Sequence, residues 1–432
     1  MKSLLSEKLS VLLLAVIFAG IVVHAPLSVW LGSLWPENEL FFKVWKELLM
    51  LFAAGLVAGM VSRRKMWPEL AQDKVFWLIV AYAGLHFVLL FVFKLPAEAT
   101  MAGLAIDLRY ILFFGLMYVA LKALPHYRQL FLTIGVIGAF IVVGFATLQL
   151  FLPRDILVYI GYSKETIAPY LTVDQNDNFV RVNSTLRGPN PLGAYAGMVL
   201  AIITAVLVRT KAWLSVKYRW AIIILSICSV VALWISYSRS AWIGAVVAIG
   251  LVLAATVARK LPRWSWIAVC GIVFALIGGL IAARDNTFIS NVLLHENPEG
   301  GSAISSNDAH ADSLAFGLER LMQQPLGAGV GSTGSASLYT ENPVIIENQY
   351  LFIAHEAGWL GLALFLAIFI IIMARLWRGR KDWLALGVFA SGVSFALIGL
   401  IQPVWVDDTV SIIWWGLAAV ALVGGSNARK TK

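Results

Sequence analysis

The chain has 432 residues, of which 60% are hydrophobic and 13% charged, about half the charged share of a soluble domain, which is roughly 25%. Its mean hydropathy of +0.83 excludes a water-soluble fold and points to an integral membrane protein. The net charge of +9 reads as membrane topology rather than as a nucleic-acid footprint.

A helix needs about 20 apolar residues to cross a hydrocarbon core about 30 Å thick. Twelve segments meet that need, near 9–33, 40–61, 75–94, 101–123, 130–152, 192–208, 220–236, 240–258, 266–283, 349–374, 383–402 and 409–425. The ten-residue alternating strands of an outer-membrane barrel are absent, so the expected fold is all-α, a single polytopic domain over 1–432. The first segment follows Lys2 and Lys8, but it is long and no small-residue cleavage site follows, so it is read as a retained span rather than a signal peptide. Cys228 and Cys270 both fall inside spans, which argues against a disulfide or metal role.

The basic residues fix an orientation. With the N-terminus cytoplasmic, the inner segments carry Lys2, Lys8, Arg63, Arg64, Lys65, Lys74, Lys122, Arg128, Arg209, Lys211, Lys217, Arg219, Arg259, Lys260, Arg263, Arg375, Arg378, Arg380, Lys381, Arg429, Lys430 and Lys432. Those are 22 of the 33 basic residues, so both termini are expected on the cytoplasmic side.

Two outer connections are long, 153–191 and 284–348, and long structured insertions are where function concentrates. The first contains "DQNDNFVRVNSTLRGPNPLGAY" and the second "NDAHADSLAFGLERLMQQPLGAGVGSTG". In the second, Leu314, Phe316, Leu318, Leu321 and Met322 form one apolar stripe, with Asp312 and Ser313 as N-terminal caps. The pattern predicts an amphipathic helix at the outer interface or over the bundle mouth. The glycine run "PLGAGVGSTG" reads as a turn with exposed backbone N–H groups; it lacks the preceding strand and the Lys-Ser/Thr of a phosphate loop.

The remaining outer polar residues carry the functional reading. Arg109 is expected to pair with Asp107 or a neighbouring backbone group, a structural ion pair. Arg239, in "ISYSRSAWIG", has serines around it and no acid nearby in the chain. Arg187, in "STLRGPNPLG", is followed by Gly and two prolines that fix a turn aiming Arg187 and Asn190 toward the bundle. Arg320 lies on the expected interfacial helix beside Glu319. Arginines without matched acids on one side of a membrane suit a phosphate or diphosphate, which guanidinium groups bind bidentately; the competing reading of each is an interfacial anchor or surface charge.

Glu347 opens the stretch "IIENQYLFIAHEAGWLGL". It is either a first-turn acid at a helix N-terminus beside Asn348 or a general base for a sugar hydroxyl. His355 and Glu356 lie over two turns deeper, where packing against other helices fits better than a share in the same chemistry.

Taken together, "RGPNPLGAYAGM", "SYSRSAWIGAVVA" and "PLGAGVGS" followed by "ENQYLFIAHEAGWLGL" resemble the O-antigen ligase and O-antigen polymerase superfamily of bacterial surface-polysaccharide glycosyltransferases. The resemblance implies about twelve transmembrane helices with a large periplasmic loop in the bacterial inner membrane. It implies an inverting transfer on the periplasmic face from an undecaprenyl-diphosphate-linked glycan, either to a lipid A core or to another lipid-linked repeat. It implies no metal and no cofactor. Carried onto this chain, Arg239 matches the arginine of the Ser-Arg motif, with Arg187 and Arg320 as further diphosphate ligands and Glu347 as base. Asn190, Asn348, Tyr350 and His310 are weaker sugar or acceptor contacts. Ligases carry His-Asn where this chain has Glu347-Asn348, and that departure favours a polymerase or another surface-glycan transferase of the same superfamily. A transporter or flippase of a lipid-linked glycan is the alternative; it would spread charged residues through the membrane rather than gather them on one side.

Overall fold

The computed structural model describes residues 2–211, 215–257, 262, 278–279, 281–286, 289–294 and 306–430. The helices are α1 (Lys2–Gly20), α2 (His24–Leu34), α3 (Glu39–Arg63), α4 (Trp67–Ala71), α5 (Lys74–Val92), α6 (Ala97–Ala123), α7 (Arg128–Leu148), α8 (Pro189–Arg209), α9 (Val216–Ile235) and α10 (Arg239–Thr256). After the long loop come α11 (Ser306–Gln323), α12 (Gln349–Arg378), α13 (Trp383–Ile398) and α14 (Asp408–Lys430). Among the described residues nine helical segments are long and apolar enough to cross a membrane, and two shorter apolar helices lie at Trp383–Ile398 and Asp408–Gly424. Each coincides with an expected span. The expected span at 266–283, which holds Cys270, lies almost wholly outside the described residues.

The all-α expectation has one exception. The first long loop folds an antiparallel hairpin of β1 (Leu171–Val173) and β2 (Asn176–Arg181). Asp174 and Gln175 join the strands, both at positive φ (46° and 61°), as a two-residue turn matched to strand twist requires.

Helix packing uses small residues, since lipid gives no hydrophobic drive between helices and close backbone approach must supply the contact. On α8, a Cβ added at Gly193 would lie 2.8 Å from Ala241 Cβ, and one at Gly197 3.2 Å from Ala245 Cβ. This four-residue spacing seats α8 against α10 and brings their N-termini together. Gly387 of α13 meets Ile202 and Ala205 of α8 in the same way. Under that end of the bundle Trp405, Trp414 and Trp415 interlock, with ring centroids 5.1 to 5.6 Å apart, and form a rigid apolar floor.

The expected interfacial helix exists but begins at Ser306, six residues before Asp312. Asp312 and Ser313 are therefore interior residues and not caps; the Ser313 hydroxyl instead accepts the backbone N–H of Glu347 at 2.9 Å.

Candidate functional site

The N-termini of α8, α10, α12 and α14 lie at one end of the bundle, joined by the loop 399–407 between α13 and α14. Gln402 Nε2 donates to Ser240 Oγ at 3.2 Å on α10. Asn348 Nδ2 donates to the Leu400 carbonyl at 2.8 Å, and the Gln349 N–H to that of Gly399 at 2.8 Å. Gln349 Oε1 in turn accepts the Trp405 N–H at 2.8 Å. Helix N-termini carry partial positive charge and orphan N–H donors, so their convergence favours an anion.

Three polar groups occupy this end. The first holds Arg239, Arg181 and Asn190. Arg181, at the end of β2, donates from Nε to the Ser236 carbonyl at 2.8 Å and from Nη2 to Asn190 Oδ1 at 2.5 Å. Two bonds thus fix the guanidinium plane beside Arg239. Burial pushes the Arg181 pKa down to about 10, with Asp174 opposing and Arg239 adding to the shift, and it remains charged at neutral pH. The sequence placed no acid near Arg239; the hairpin turn delivers Asp174, which attracts both arginines. Arg181 escaped the sequence reading because its neighbours Asn176, Asp177 and Asn178 look like an ordinary polar hairpin.

The second group is centred on Asp408, 1% exposed. Its Oδ2 lies 3.2 Å from His24 Nε2, 3.3 Å from Lys46 Nζ and 3.9 Å from Arg109 Nη1, and its Oδ1 lies 3.7 Å from Arg187 Nε. Two expectations are corrected here. Arg187 has a matched acid, contributed from 221 positions along the chain. Arg109 does not pair with Asp107; it donates to the Val406 carbonyl and approaches Glu47 at 3.9 Å. Asp107 faces inward, 3.4 Å from His86. The Arg187 side chain stays 42% exposed, so its guanidinium remains open to a ligand while Asp408 anchors one edge. Asp408 raises the Arg187 pKa.

The third group is Glu347 with His310. His310 Nδ1 lies 2.7 Å from Glu347 Oε2, the side chains 35% and 42% exposed. The hydrogen bond from His310 holds the Glu347 carboxyl below the usual range, against the opposing effect of burial. Asn348 and Tyr350 have other partners: Asn348 Oδ1 caps α12 by accepting from the Tyr350 and Leu351 N–H groups, and the Tyr350 hydroxyl donates to the Ala396 carbonyl at 2.9 Å. These bonds commit them to positioning the helix rather than a sugar. Arg320 stacks on Phe316 of its own helix, 4.4 Å from the ring, and acts electrostatically on His355 of α12.

The glycine run differs from its expected form, because its N–H groups are not exposed. Glu356, 1% exposed, accepts from the Gly331 N–H at 3.0 Å and the Thr333 N–H at 3.2 Å, and the carbonyls of His355 and Glu356 accept from Ala328 and Gly329. Helix α12 breaks at Gly358, φ +67°, which frees those carbonyls. The second ionisable pair of "ENQYLFIAHEAGWLGL" thus clamps the loop, away from Glu347.

A polytopic helical membrane protein with an arginine-rich end and a carboxylate–imidazole pair is the class that fold and site define. Residues 224–366 match the family described as O-antigen ligase; the matched stretch, about a third of the chain, contains Arg239, His310, Arg320 and Glu347, and over it the chain is similar to that family. No curated protein matches the chain.

Proposed function

We propose that the chain is an inverting glycosyltransferase of the bacterial inner membrane. It transfers or polymerises an undecaprenyl-diphosphate-linked glycan on the periplasmic face, with a polymerase favoured over a ligase. The observation that carries the reading is Arg181, fixed by two hydrogen bonds within electrostatic reach of Arg239, with Asp174 attracting both. Fixed guanidinium groups near helix N-termini are suited to a diphosphate, whose charge grows as the bond to the sugar breaks. Arg187 adds a further positive group, and Asp408 holds it in place. The acceptor hydroxyl is activated at Glu347, on the same loop-tied end. Arg320, stacked on its own helix, has a peripheral part if any.

The Glu347 substitution for the ligase histidine supports the polymerase reading. The test is transfer by purified protein from a lipid-linked donor to a lipid-linked acceptor. A new glycosidic product, lost by at least about a hundredfold in Glu347→Gln, is the expected result. Movement of donor between leaflets with no product would establish the transporter alternative instead. In a null strain, short unpolymerised repeats mark a polymerase and free lipid-linked polymer marks a ligase.

A further inference from the structure

An imidazole is a better match than a carboxylate for taking a proton at neutral pH. The chain lacks a histidine at the motif position, but α11 returns one to it. His310 meets Glu347 through Nδ1, at 2.7 Å. That nitrogen is buried, while the side chain as a whole keeps 35% of its surface open, and ring geometry puts Nε2 on the edge away from Nδ1. A carboxylate behind Nδ1 fixes the tautomer with the proton on Nδ1 and a free lone pair on Nε2, and it stabilises the imidazolium once formed.

We propose that His310 Nε2 takes the proton of the acceptor hydroxyl and that Glu347 is the positioning residue behind it. The inference rests on the transfer reading and gives its base a second member. In the step, the acceptor O–H bond breaks as that oxygen bonds to the donor's anomeric carbon. The bond from this carbon to the diphosphate oxygen breaks, its electron pair leaving on the diphosphate. The proton passes to Nε2, and the Glu347 carboxylate balances the imidazolium.

The surroundings are consistent with this division of labour. Asp308, Asp312 and Arg320 share α11 with His310, and His355 and Glu356 lie on α12, which packs against it. Glu356 is committed to the glycine loop, and Arg320 acts on His355. Glu347 is backed by Ser313, which accepts its N–H at 2.9 Å. The backbone of the positioning residue is thereby tied to the helix that carries the base.

The experiment compares His310→Asn, His310→Ala and Glu347→Gln in the purified transfer assay. Asparagine keeps a donor where Nδ1 was and removes Nε2. His310→Asn is expected to lose about 10²- to 10⁴-fold in kcat while its KM for acceptor changes less than about threefold and its melting temperature stays that of the parent. Added imidazole should restore part of the His310→Ala activity. If His310→Asn keeps half or more of the parent's kcat while Glu347→Gln is inactive, Glu347 is itself the base and the inference fails with the transfer reading intact. If both variants remain active, the base assigned to this end of the molecule is wrong altogether.

Discussion

Arg181 uses two donors of its guanidinium, Nε on the Ser236 carbonyl and Nη2 on Asn190 Oδ1. A lysine retains the charge but cannot span both partners, so Arg181→Lys should behave nearly as Arg181→Ala. Losing charge-assisted bonds of this kind costs about 1.5–3 kcal/mol, or roughly ten- to hundredfold in kcat/KM for donor, read in the transfer assay; full activity in Arg181→Lys would remove it from the site. The ionisation of Glu347 sets a second expectation. Its folded value is lowered by His310, so the pair contributes stability above the ordinary glutamate range and loses it as pH falls through the lowered value. Both side chains are a third or more exposed, and solvent screening keeps that contribution small. Thermal midpoints of the parent and of Glu347→Gln in detergent should therefore coincide within a few degrees from pH 8 down to pH 5; a large gap at neutral pH would mean the pair is a structural bond. Arg239, Arg187 and Glu347 were legible because each sits in a local pattern of turn residues, serines or a helix start. Arg181 and Asp408 were not, because what makes them important is a partner more than 50 positions away in one case and more than 200 in the other.

At the scale of elements, α12 is the joint on which the end of the bundle depends. Its apolar run was readable as a span, and its polar head as a separate group from His355 and Glu356. Its break was not readable, since a glycine within a transmembrane helix has no periodicity of its own. Gly358 takes φ +67° and ψ −172°, a region costly for any residue with a Cβ. An added Cβ would also lie 2.6 Å from the Leu326 carbonyl carbon, backbone against backbone. Gly358→Ala is thus expected to cost about 3 kcal/mol or more, the sum of backbone strain and overpacking, and to release the glycine loop from Glu356. Limited proteolysis in detergent should then cut between Gln324 and Ser335 in the variant and spare the parent. Equal cutting rates and equal melting temperatures would show that the break in α12 is not what holds the loop.

For the whole molecule, eleven of the twelve expected spans coincide with apolar helices among the described residues, because each helix in lipid must satisfy its own backbone and present apolar side chains over its full length. The site followed only in part. It is made where alternate helices begin, so its residues come from segments far apart in sequence that share an end by topology. Orientation links the two. If Lys and Arg mark the cytoplasmic side, then the starts of α8, α10, α12 and α14, with Arg239 and Glu347, face outward, where a lipid-linked donor would be presented after crossing the membrane. The opposite ends, near Arg63 and Arg375, face inward. In a chain with Cys228 and Cys270 replaced by serine, the exposed positions Lys164 and Glu341 should, as Lys164→Cys and Glu341→Cys, react with an impermeant maleimide applied to intact spheroplasts. Gln72→Cys and Lys381→Cys, exposed at the other end, should react only after permeabilisation. The reverse pattern would put the arginine-rich end in the cytoplasm, where nucleotide-linked sugars rather than lipid-linked ones are at hand, and the periplasmic transfer reading would have to be given up even though every contact within the site stayed the same.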